Sequence, residues 1–247
     1  MIVVTSAAGV SEADMRAASD ATGAAFSRLG ACGAEGPGDA AAAARAAEAL
    51  PDLDVNRVAA GPREKRLLIA DMDSTIITVE CIDEIADVAG VGAQVAGITE
   101  AAMRGELDFE GALAARVALL EGLRAEALEE VWRERVRLSP GAAVAARTMA
   151  ARGARTALVS GGFAFFAERV AEAAGFQSAQ ANRLEVRDGR LTGRTTGPVL
   201  GREAKLEALR ANCAEGGFGA EAVLAVGDGA NDLAMVEAAG LGVAYRA

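Results

Sequence analysis

Short apolar runs that each end in a small or acidic polar residue constrain this chain more than anything else in it. They are Leu67-Leu68-Ile69-Ala70 before Asp71, Thr156-Ala157-Leu158-Val159 before Ser160, and Ala222-Val223-Leu224-Ala225-Val226 before Gly227-Asp228. Such unbroken apolarity suits strands buried on both faces, as in parallel sheets covered by helices. Helical segments separate the runs, so the expected class is α/β with a Rossmann-like parallel sheet. Open sheets of this kind take their ligands beyond the carboxyl ends of the strands, where all these polar endings fall.

The stretch between the first two runs, roughly 80–138, is helical and broken near Gly90, Gly105 and Gly122. It is too long for a simple crossover and reads as an inserted cap over the strand ends. Ser139-Pro140 is expected to open the next helix, with Ser at the N-cap and Pro in the first turn. Further on, 183–194 around Asp188-Gly189 reads as a hairpin. A helix over 202–212, another over 232–239 and a strand over 241–245 complete the pattern. The expected division is a core of 66–78 and 139–247 with a cap of 79–138.

Residues 1–60 differ in character, with low-complexity alanine and a glycine-rich stretch from Gly30 to Gly38. Ile2-Val3-Val4-Thr5 reads as a strand, 11–29 as a helix with Ser11 and Asp14 spaced as a capping box, and 39–50 as a second helix. The alternating Asp52–Val58 suggests a half-buried strand, giving one strand-helix-strand unit with an extra helix. Ala60-Gly61-Pro62-Arg63-Glu64-Lys65 reads as the linker.

Composition excludes much chemistry. The chain has no histidine, so no Ser-His-Asp triad, imidazole base or His-ligated metal is available. Cys32, Cys81 and Cys213 are far apart and form neither a thiolate cluster nor a secreted disulfide framework. A formal charge of −10 lacks the basic footprint of a nucleic-acid binder. No apolar run is long enough to predict a membrane span, and no export signal is evident, so a cytoplasmic protein is expected.

What remains is carboxylate chemistry. Asp71 and Asp73, two residues apart beyond a buried strand, can share one cavity, and a carboxylate can itself be a nucleophile. Gly227-Asp228-Gly229-Ala230-Asn231-Asp232 places a second acidic group at another strand end. Together they offer hard oxygen ligands, for which Mg²⁺ is the natural cation. Ser160-Gly161-Gly162 leaves backbone N–H groups open to an anion, with a helix expected to start near Phe163. Lys205, early in a helix where a cation is unfavourable, invites a specific role. In isolation each cluster is also an ordinary turn or cap.

Taken in order, Asp71-x-Asp73-Ser74-Thr75, Ser160, Lys205 and Gly227-Asp228-Gly229-x-Asn231-Asp232 resemble the four motifs of the haloacid dehalogenase superfamily of phosphotransferases. The match runs from about Leu67 to Ala244. Glu80-Cys81-Ile82-Asp83-Glu84, 103–109 and 116–120 resemble the substrate-recognition segments of the phosphoserine phosphatase family within it. The resemblance implies Asp71 as nucleophile, forming a phosphoaspartyl intermediate, and Asp73 as general acid and base. It implies Mg²⁺ held by Asp71, the Asp73 backbone carbonyl and Asp228, with Asp232 supporting that shell. Ser160, Gly161, Lys205 and Asn231 would hold the phosphoryl oxygens. Glu80 would meet an ammonium and Arg116 a carboxylate, with Met103 and Phe109 closing the pocket. A small molecule bearing phosphate, ammonium and carboxylate together is what phosphoserine is. The N-terminal region would be a degenerate ACT-like unit, serving regulation, docking or homodimer formation. Members of the family continue past the segment matching 240–247 with another strand and helix. The rival readings are an enzyme of the same superfamily acting on another small phosphomonoester and a non-catalytic amino-acid-binding regulator.

Overall fold

The computed structural model describes residues 1–59 and 61–246, and divides into units over Met1–Arg63 and from Glu64 onward. Ala60, placed in the expected linker, and Ala247 lie outside the described residues.

The first unit runs β1 (Ile2–Thr5), α1 (Glu12–Thr22), β2 (Ser27–Gly30), β3 (Gly33–Gly36), α2 (Ala40–Ala49) and β4 (Asp54–Arg57). Its antiparallel sheet has the order β2-β3-β1-β4, which is a split β-α-β unit of the ferredoxin-like kind. The expected single strand-helix-strand unit is therefore corrected. α1 stops at Gly23, whose φ of 72° and N–H to Ser19 O form a left-handed cap. The glycine-rich stretch contains the β2–β3 hairpin, and pairing of β3 with β1 overrides its weak strand propensity. The capping box of Ser11 and Asp14 is present, and Ile2, Val4, Ala18, Ala42 and Leu50 form the core.

In the second unit β5 (Leu67–Ala70) is central. The helices α3 (Cys81–Ala89), α4 (Gly92–Met103), α5 (Phe109–Ala118) and α6 (Glu126–Glu134) follow it. The chain continues through α7 (Ala142–Ala151), β6 (Arg155–Phe163), α8 (Ala164–Ala174), β7 (Ser178–Arg187) and β8 (Arg190–Thr196). It ends with α9 (Arg202–Gly216), β9 (Val223–Gly227), α10 (Leu233–Ala238) and β10 (Leu241–Ala244). The sheet order is β10-β9-β5-β6-β7-β8, parallel throughout except for β8. From β5 the chain builds outward through β6 and β7, then crosses to β9 and β10, so the strand order switches between β5 and β9.

Alternation along β5 explains its burial on both faces. Leu67 and Ile69 pack with Leu209, Val223 and Met235, while Leu68 and Ala70 join Leu158, Phe163 and Phe166. The helical stretch α3–α6 leaves and rejoins the core through an antiparallel bridge between Ile77 and Leu138, with Ser139 N–H on Ile76 O. Ser139-Pro140 does not start a helix. Gly141 at φ 86° makes a turn whose Ala142 N–H meets Ser139 O, and α7 begins at Ala142. Similarly β6 extends to Phe163 and α8 starts one residue later. No helix among the described residues is long and apolar enough to cross a membrane.

Candidate active site

The carboxyl ends of β5, β6 and β9, the start of α3 and one face of α5 meet around a cavity of about 190 Å³. Its wall contains Asp71, Asp73, Glu80, Phe109, Arg116, Ser160, Gly161, Asp228 and Asn231. These are nine of the twelve site residues expected from sequence. Lys205 and Asp232 are buried beside it, with Lys205 paired to both Asp71 of the wall and Asp232.

Met103 is a correction. It ends α4 with 84% of its surface exposed and is absent from the cavity wall. Val95 is the buried residue of α4, so the packed part of this helix lies two turns before its end and Met103 is left facing solvent.

Beyond β5 the chain folds into a tight five-residue π turn, Met72–Ile76, closed by Ile77 N–H on Met72 O. The turn aims both aspartates inward. Asp71 Oδ1 accepts the Met72 N–H at 2.7 Å, and its Oδ2 lies 2.7 Å from Lys205 Nζ. Asp73 accepts the Cys81 N–H at 3.0 Å and the Ser160 hydroxyl at 3.3 Å. Ser160 Oγ in turn accepts the Gly162 N–H at 2.8 Å.

Lys205 Nζ also meets Asp232 Oδ1 at 2.5 Å. Asp232 Oδ2 accepts the backbone N–H groups of Asp228 and Gly229, each at 3.1 Å. The unfavourable start of a helix is therefore offset for Lys205 by two carboxylates. Burial alone would lower its pKa, but Asp71 and Asp232 outweigh that and hold the ammonium above its ordinary value. Burial raises Asp71, opposed by Lys205, and raises Asp73, opposed by its contacts with Cys81 and Ser160. Glu80 is pushed up to about 7 by burial, reinforced by the charge of Asp73.

Carboxylate oxygens of Asp71, Asp228 and Asp232 lie within 4.8 Å of one another, an arrangement that can hold a metal ion. Both oxygens of Asp71 and of Asp232 already have partners, whereas Asp228 is engaged through Oδ1 among the described residues. An all-oxygen set of this kind fits a hard divalent ion.

Several contributors carried no assigned role in the sequence. Thr75 donates its hydroxyl to Asp228 Oδ1 at 2.7 Å, and Ser74 donates to Glu80 Oε1 at 2.6 Å. Gly162 is required by space, since a Cβ there would lie 2.4 Å from Asp73 Oδ2. Buried Asn182 donates to Gly161 O at 2.8 Å and accepts from Leu200 N–H at 2.8 Å, linking the β6 glycines to the approach to α9. Ser74 and Thr75 stood inside a motif and were open to notice. Asn182 is a lone amide in a strand and gave no signal.

The model of haloacid dehalogenase-like hydrolases matches residues 68–237. A phosphoserine phosphatase of Polaromonas sp. is 45% identical over 204 residues, 81% of this chain and 84% of that protein. One from Archaeoglobus fulgidus is 46% identical over 75% of this chain, which spans only about half (54%) of that relative's length. A solved phospho-aspartyl intermediate analogue of a phosphoserine phosphatase superposes with a TM-score of 0.67 at 43% identity, covering 74% of this chain and 87% of that one. The chain belongs to the haloacid dehalogenase-like hydrolase family.

Proposed function

We propose that the protein is a Mg²⁺-dependent phosphoserine phosphatase, hydrolysing O-phospho-L-serine to serine and phosphate. The observation that carries this reading is the composition of one cavity wall: Asp71 and Asp73 share it with Glu80 and Arg116. The first pair suits phosphoryl transfer, and the second offers one carboxylate and one guanidinium to the ammonium and carboxylate of an amino acid. The relatives' names support the same substrate.

In this mechanism Asp71 Oδ attacks phosphorus and the bond to the serine oxygen breaks. Asp73, protonated in that step as its burial favours, delivers its proton to the departing oxygen. Asp73 then takes a proton from water, which attacks the phosphoaspartate and releases phosphate with Asp71 restored. Asp71, the Asp73 backbone carbonyl and Asp228 would hold Mg²⁺, which neutralises charge on the phosphoryl group when bound. Ser160, the Gly161 N–H, Asn231 and Lys205 hold and neutralise the phosphoryl oxygens. Residues 79–138 act as the substrate-selecting cap, contributing Glu80, Phe109 and Arg116. Residues 1–60 serve docking or homodimer formation.

Phosphate release from phosphoserine, phosphothreonine and a sugar phosphate, with and without Mg²⁺, tests the reading. Mg²⁺-dependent turnover favouring phosphoserine is expected, with that preference reduced in Arg116→Ala. Equal use of the sugar phosphate by the unaltered enzyme would leave the phosphatase but reject the substrate.

A further inference from the structure

Ser74 stands out because its backbone and its side chain pull in different directions. Its φ is 53° and its ψ −4°, a left-handed conformation that glycine adopts freely and serine rarely does. The neighbouring backbone enforces it, for the Ser74 N–H is held by Val79 O at 3.2 Å within the turn that follows Asp73. A glycine would relieve this conformation. What serine adds is the hydroxyl, which donates to Glu80 Oε1 at 2.6 Å.

Glu80 is the N-cap residue of α3 but makes no side-chain cap. Its carboxylate is therefore not held by the helix it precedes. It lines the cavity together with Arg116, and the Ser74 hydroxyl is its hydrogen-bond donor. A carboxylate fixed by one short charge-assisted bond keeps its second oxygen for a ligand.

We propose that Ser74 is a positioning residue for substrate selection: its hydroxyl fixes the Glu80 carboxylate at the ammonium subsite and ties that subsite to the turn bearing the nucleophile. The proposal rests on the phosphoserine reading above. Ser74 touches no reacting atom in this account. It acts through Glu80, on recognition of the substrate's ammonium rather than on transfer of its phosphoryl group.

The test compares two substrates, phosphoserine and 3-phosphooxypropanoate, which is the same ester without its ammonium. Ser74→Gly removes the hydroxyl while easing the backbone, and Ser74→Ala removes it while keeping the left-handed demand. Both variants are expected to raise KM for phosphoserine about tenfold, in keeping with loss of a hydrogen bond to a charged group. KM for 3-phosphooxypropanoate and kcat for both substrates are expected to change by less than about twofold, a difference of about 0.4 kcal/mol. In a Glu80→Gln background, Ser74→Gly is expected to add no further loss of selectivity. Equal changes on the two substrates, or a fall in kcat alone, would mean that Ser74 supports the turn only and would overturn the proposal. Unaltered selectivity in both variants would overturn it too, while leaving the phosphoserine reading intact. If the unaltered enzyme does not distinguish the two substrates, the ammonium subsite itself is wrong and both readings fall.

Discussion

Lys205 Nζ lies 2.7 Å from Asp71 Oδ2, and both side chains are buried. The proposed nucleophile thus has a fixed counter-charge from α9, while the same ammonium reaches Asp232 on the far strand end. This lysine joins β5 and β9 across the point where the strand order switches. It orients one oxygen of Asp71 and reduces repulsion between that carboxylate and an incoming phosphate dianion.

Replacing Lys205 by Met is expected to harm both stability and turnover. It leaves Asp71 and Asp232 buried without their partner, a loss on the order of 3–5 kcal/mol for a broken buried pair. Denaturant unfolding measures the first effect and phosphate release the second. The cost is expected to shrink as pH is lowered, because protonated Asp71 no longer needs the ammonium.

Thr75→Val removes the hydroxyl that orients Asp228 without altering side-chain volume much. Affinity for the divalent ion is expected to fall about tenfold, the scale seen when an outer partner of a ligand is lost. Turnover is expected to recover at saturating Mg²⁺. Titrating activity and calorimetric binding against Mg²⁺ separates these effects.

Gly162→Ala places a Cβ where Asp73 Oδ2 stands, at 2.4 Å, and 3.1 Å from Ser160 Oγ. Asp73 must then shift. A displacement of that size is expected to lower kcat on the order of 100-fold. Thermal unfolding checks that the fold survives.

Glu80 links pH to stability. Its folded pKa of about 7 exceeds the ordinary 4.5, so between those values the folded protein holds a proton that the unfolded chain has released. The metal-free protein is therefore expected to lose stability as pH rises through this window. Glu80→Gln is expected to flatten that slope, as read from Tm against pH. Since only the ionised carboxylate attracts an ammonium, KM for phosphoserine is expected to fall over the same rise in pH.

The core was legible because β5, the 157–159 stretch of β6 and β9 are apolar runs, and burial on both faces of a parallel sheet demands that pattern. Asp71, Ser160 and Asp228 were legible because each closely follows such a run, and Lys205 because a cation early in a helix is unfavourable. Position within the insertion was harder to read. Phe109 and Arg116 reach the cavity while Met103 does not, a difference set by where α4 ends and α5 begins rather than by residue type. The N-terminal hairpin was missed because glycine between Gly30 and Gly36 signals a loop locally, and only pairing with Ile2–Thr5 makes it a strand. Asn182 acts through a main-chain carbonyl, which no spacing rule reveals.

The proposed mechanism requires Asp71 to take the phosphoryl group. Acid quenching during turnover of phosphoserine labelled with ³²P, followed by peptide mapping, tests it directly. Acid-stable, hydroxylamine-sensitive label is expected on the peptide containing Asp71 and none in Asp71→Asn. Label on another residue, or undiminished turnover by Asp71→Asn, would contradict it.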